Sequence, residues 1–166
     1  MKKIVYTRPD GGITVVIPAP KEHLEKLYGK LSDSQYEDIV NKANDAKMKR
    51  RGAKNIRVID DSDIPADREF RDAWVDVSDE TKIDICCEKA KDLKLKEMRL
   101  KREELFKDAD RAFMLALEDG SEDKINEAKK EKQKLRDLTE PLKELEVKGK
   151  LNDKKLLRKM KDLADV

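Results

Sequence analysis

Aromatic residues are scarce in this 166-residue chain: Phe, Tyr and Trp together make up 4% of it. Ligand pockets are lined mainly by apolar and aromatic side chains, so this shortage argues against a deep small-molecule site. Histidine occurs once, as His23, with no nucleophile placed to use it as a base. The two cysteines, Cys86 and Cys87, are adjacent. Neighbouring thiols do not easily reach disulfide geometry with each other, so a disulfide scaffold is excluded and reduced thiols in a cytoplasm are expected. No His-x-x-x-His or Cys-x-x-Cys pair supplies zinc spacing. There is no glycine-rich phosphate loop, since Gly11-Gly12 reads as a turn. No apolar run approaches the roughly 18 residues of a membrane span. The opening Met1-Lys2-Lys3-Ile4-Val5-Tyr6-Thr7 is too short an apolar stretch for a signal peptide, and Arg8-Pro9-Asp10 interrupts it. Neither sign of charge dominates: 39 Lys and Arg stand against 37 Asp and Glu, a net charge of +2. That balance argues against an acidic DNA mimic and against a broadly basic nucleic-acid binder.

What the chain has in abundance is charge of both signs, 46% of all residues against about 25% in ordinary globular proteins. Such a mixture suits exposed helices laced by ion pairs. The acidic run Asp60-Asp61-Ser62-Asp63 lacks the glycine and the terminal glutamate of a calcium loop. No constellation of nucleophile, base or metal ligand emerges, so a non-enzymatic protein with no cofactor and no metal is expected.

The pattern predicts an α+β chain of two parts, residues 1–83 and 84–166. In the first, Ile4-Val5-Tyr6 and Ile13-Thr14-Val15-Val16-Ile17 flank the turn Arg8-Pro9-Asp10-Gly11-Gly12, which predicts a β-hairpin. Pro18 and Pro20 end its second strand. A short helix is expected over 21–31. Another follows Ser32, where Ser32 and Gln35 fit a reciprocal capping box. Asn55–Ile59 reads as a strand. Phe70 and Trp74 are four apart and share a face if their stretch is helical, although Trp74-Val75 equally suits a strand. Both are expected to anchor this half.

In the second part, Leu95, Met98, Leu105, Ala109, Ala112 and Ala116 recur in steps of three or four, with Phe106, Phe113 and Leu117 widening the stripe. This spacing resembles a coiled-coil seam, with Arg102 interrupting it. Gly120 and Ser121 suit a helix end and the next helix cap. A thinner stripe of Ile125, Ala128, Leu135 and Leu138 then predicts an antiparallel helical hairpin, closed off by Pro141. Gly149 and Asn152 suggest a break and a new cap. Leu156, Leu157, Met160, Leu163 and Ala164 make a last amphipathic helix. A hairpin about 50 Å long has little core of its own, so its stripe is expected to meet a third helix or another chain.

Two surfaces are candidates for function. The first is a protein-binding set of Phe70, Trp74, Leu95, Met98, Leu105, Phe106, Phe113 and Leu117. The second is the segment 47–57, which holds six cations and no anion. Its Lys47, Lys49, Arg50, Arg51 and Lys54 are candidate phosphate contacts, read equally well as the solvated end of a helix.

Asp10-Gly11-Gly12 with the following run to Pro18, and then Asp63-Ile64-Pro65-Ala66-Asp67-Arg68-Glu69-Phe70-Arg71-Asp72-Ala73-Trp74, are similar to small proteins of tailed bacteriophages and prophages. Those proteins pair a short β N-terminus with an Ile-Pro-x-Asp-Arg-x-Phe-Arg-x-Ala-Trp segment. The stretch Lys101-Arg102-Glu103-Glu104-Leu105 to Gly120, followed by Lys132-Gln133-Lys134-Leu135-Arg136-Asp137-Leu138-Thr139, resembles the helical hairpin of the phage tail assembly chaperone domain. An Asp-Gly-Ser turn stands here in place of that domain's Trp and Pro connection. Together the stretches cover about half of the chain. The resemblance implies a tail-associated or tail-assembly protein, bound to a virion component or to itself, in the host cytoplasm or the virion. It carries no catalytic residue across. A host-takeover or anti-defence protein binding a bacterial complex is the alternative, and nucleic-acid contact through 47–57 the third reading.

Overall fold

The computed structural model describes residues 2–49, 51–76 and 82–165, apart from the side chains of Ala43 and Lys47. It is an α+β chain that divides into two compact units, one ending at Ile85 and the other beginning at Cys86.

In the N-terminal unit, β1 (Lys2–Thr7) is the central strand of an antiparallel sheet, with β2 (Ile13–Val16) on one side and β3 (Lys54–Asp60) on the other. The hairpin closes as expected. The Arg8 N–H donates to the Gly12 carbonyl and the Gly11 N–H to the Arg8 carbonyl, with Gly11 at a φ of 76°. Two helices, α1 (Lys21–Tyr28) and α2 (Asp33–Lys49), lie between β2 and β3 in the chain. Register pairs Ile4 with Val16 and Val58, and Val5 with Val15 and Arg57. Side chains alternate across a strand, so Ile4 and Tyr6 point to one face and Val5 to the other. On the first face Ile4, Tyr6, Val40 and Met48 form a core, with Val16, Leu24, Tyr36, Ala53 and Ile56 packed against it. On the second, Val5, Ile13 and Ile59 are buried as well.

The capping box opens α2. The Gln35 N–H donates to Ser32 Oγ at 3.2 Å, and Gln35 Oε1 accepts from the Ser32 N–H at 2.9 Å. Ser32→Ala removes one partner of an otherwise orphaned donor and costs about 1 kcal/mol. Urea denaturation followed through Trp74 measures it; no change in stability would show the cap to be idle.

The stretch containing Phe70 and Trp74 is not an α-helix. Asp67 accepts the N–H of Glu69 in a local turn, a bond that competes with helix formation. A single 3-10 turn over Arg71–Ala73 leads into β4 (Trp74–Val75), which pairs antiparallel with β5 (Asp84–Ile85).

In the C-terminal unit the helices are α3 (Cys87–Asp119), α4 (Glu122–Asp137), α5 (Glu140–Lys143) and α6 (Lys154–Ala164). Gly120, at a φ of 68°, takes the left-handed position that ends α3. Ser121 occupies the cap position of α4, but its hydroxyl makes no capping bond. Asp153, rather than Asn152, caps α6, accepting the N–H groups of Lys155 and Leu156. Asn152 instead takes up the turn, at a φ of 50°. A 16-residue α4 folds back along only the later half of a 33-residue α3. Lys132 of α4 marks the overlap, bonding Asp110 at 2.8 Å and lying 4.8 Å from the Phe113 ring centre. The earlier half of α3 is covered by α5 and α6. This answers the expected need for a third helix. Two lysines of α3 hold the ends of those helices. Lys91 Nζ donates to the carbonyls of Lys143 and Leu145, and Lys101 Nζ to that of Ala164. Each places a cation where a helix leaves its last carbonyls unpaired.

Candidate functional site

Half of the exposed large apolar residues among those described lie on α3. At 3.6 residues per turn, Met98, Ala109 and Ala116 fall on one side of the helix, and all three are buried. Leu100, Met114 and Leu115 fall on the opposite side and stand in water, 58%, 56% and 54% exposed. Leu105 and Leu117, at the margins of the packed side, are exposed too. Soluble surfaces carry scattered apolar residues as a matter of course. Five stand in water on this one helix, and Leu100, Met114 and Leu115 share its outward side, which suits contact with another polypeptide. Between them stand Glu104, Lys107, Asp108 and Arg111, all exposed.

The expected binding set is therefore split. Phe70 and Trp74 are fully buried, with the Arg68 guanidinium 5.3 Å from the Trp74 ring centre. No partner reaches them in the folded chain, and their place as docking anchors is corrected to that of core residues. Leu95 and Met98 are likewise buried, where the early part of α3 is covered. They hold the unit together rather than a partner. Phe106 and Phe113 are half-buried. Only Leu105 and Leu117 of the set face water. Leu100, Met114 and Leu115 were missed because they lie off the three-four stripe. Their signal was an apolar residue on the charged side of an amphipathic helix, as in Arg99-Leu100-Lys101.

The basic segment is partly spent on the fold. Lys49 bonds Asp45 one turn earlier at 2.6 Å. Arg57 is largely buried and grips Asp76 through two bonds, 2.6 and 2.8 Å. Thr7 Oγ1 donates to the same carboxylate at 3.1 Å, and Arg57 also donates to the Lys82 carbonyl at 3.4 Å. Arg51 and Lys54 remain exposed. The Lys47 side chain and Arg50 lie outside the described residues.

A cavity of about 270 Å³ opens between α2 and the sheet, floored by Ile4, Val40 and Val58, with the Lys2–Glu37 ion pair at its edge. Cys87 is buried, and burial pushes its thiol above the usual range. That keeps it in the thiol form, not the nucleophilic thiolate. Among the described residues, no three His, Cys, Asp or Glu side chains gather as a metal site. Among the same residues, no helix is long and apolar enough to cross a membrane.

No protein-family model, no curated protein and no solved structure matches the chain.

Proposed function

We propose that the chain is a non-enzymatic bacteriophage protein, tail-associated or assisting tail assembly, that holds its partner through α3. The observation that carries this reading is the apolar surface left in water along that helix. The likeness of the Ile64–Trp74 segment to small proteins of tailed phages, and of the α3–α4 hairpin to the tail assembly chaperone domain, supplies the setting, the host cytoplasm or the virion. A fully buried leucine contributes roughly 1.5–3 kcal/mol, so a few such residues sustain a complex once ordering costs are met.

The test is recovery of partners from phage-infected cells by the tagged chain, beside a Leu105→Asp/Leu117→Asp variant. Both positions are exposed, and unchanged far-UV circular dichroism verifies the fold. Wild type is expected to retain a tail or virion protein that the variant releases. Retention of a bacterial complex in its place, with the chain missing from purified particles, would instead favour host takeover. Recovery of neither defeats both readings.

A further inference from the structure

We infer that α3 pairs antiparallel with α3 of a second copy, about a two-fold axis crossing the helix between Lys107 and Asp108. Six residues of the outward stripe are self-complementary about that point, while Met114 falls against Lys101 at its margin. The axis sets Leu100 against Leu115 of the second copy, and Leu115 against its Leu100. It sets Glu104 against Arg111, Arg111 against Glu104, and Lys107 against Asp108. A two-fold interface places the same patch on both sides, so each residue must suit its counterpart. Here acid meets base at the centre and leucine meets leucine on either flank. Such a pattern sets register and orientation in paired helices.

Two further observations fit. Glu104, Lys107, Asp108 and Arg111 form no ion pair or hydrogen bond with any described residue of their own chain, and all four are exposed. The charges at the margins of the helix are different: Asp110 holds Lys132, and Asp119 holds Lys124. The outward charges of mid-α3 are thus open to a partner, as are Arg99 and Glu103 beside them. The single like-charged meeting on the stripe is Glu97 with Glu118, and Glu97 already carries Lys94 of its own chain at 2.7 Å. The buried Met98, Ala109 and Ala116 lie on the opposite side of α3, while Leu115 also edges the groove that α3 forms with Glu127, Ala128 and Glu131 of α4, so the second copy's helix lies alongside α4.

The inference deepens the reading of α3 as a gripping surface by naming one partner. Its test uses the purified full chain alone, so it stands or falls separately from recovery of a tail protein. Sedimentation equilibrium over a concentration series is expected to show a monomer–dimer equilibrium. Glu104→Arg turns two attractive meetings into two repulsive ones, as does Arg111→Glu, and each weakens the dimer by about tenfold or more. The double variant Glu104→Arg/Arg111→Glu restores it. A mixture of the two single variants associates better than either alone, because each supplies the charge the other lacks. A wild-type chain that stays monomeric up to about millimolar concentration, or a dimer indifferent to both reversals, overturns the inference.

Discussion

Asp76→Ala destabilises the N-terminal unit by about 3–5 kcal/mol. The carboxylate is 3% exposed, and four donors converge on it: both terminal nitrogens of Arg57, the hydroxyl of Thr7 and, at 3.5 Å, the side-chain amide of Asn55. Its removal leaves a guanidinium that is 16% exposed with its main partner gone. Arg57 Nε is already buried without a partner among the described residues, and the neutral carbonyls of Asn55 and Lys82, which Arg57 keeps, do not balance its charge. Urea denaturation read through the fluorescence of Trp74, the chain's one tryptophan, reports on the unit directly. The companion variant Asp76→Ala/Arg57→Met removes both charges and is expected to recover much of the stability, since the penalty lies in the stranded charge. A loss of less than about 1 kcal/mol in the single variant would mean that water solvates Arg57 in place of Asp76.

The second large effect falls in the other unit. Met160 of α6 is fully buried, and Met160→Ala costs about 2–5 kcal/mol through lost contacts and the cavity left behind. Leu115→Ala, on the outward side of α3, changes the stability of the isolated chain by no more than about 0.5 kcal/mol. Far-UV circular dichroism in urea, at a concentration too low for association, measures both. The contrast is the test: equal losses would mean that Leu115 belongs to the core and not to a binding surface.

The elements most legible in the sequence were those with local chemistry. Ser32 and Gln35 announce the start of α2, Gly120 the end of α3, and Asp10-Gly11-Gly12 the first hairpin, because each depends on residues a few positions apart. The α3 stripe was legible as a helix but not as to what lies over each part of it. Periodicity shows that Met98 and Ala116 share a side. It does not show that α6 reaches back to cover the first half while α4 stops partway. For the same reason the sequence reading placed Leu95 and Met98 at a binding surface. Phe70 and Trp74 anchor the N-terminal half as expected, but their added docking role was misplaced for a different cause: large aromatics suit an interface and a core equally, and the fold uses them for the core. The Arg57–Asp76 clamp joins residues 19 apart across irregular chain. Nothing in the neighbourhood of either residue distinguishes them from the other 74 charged groups, counting 39 basic and 37 acidic residues less these two.

Lys91 and Lys101 grip main-chain oxygens and not side chains. An acceptor on the backbone is present whatever side chain the residue bears, so replacing the side chains at 143 and 145 leaves the attachment in place, whereas Ala164 is held by its own burial. What the two ammonium groups read is where each helix stops. Lengthening α6 by one residue carries its last carbonyl about 1.5 Å further along and a quarter-turn or so around. A one-residue insertion or deletion here is therefore expected to disturb the attachment more than a side-chain replacement at 143 or 145.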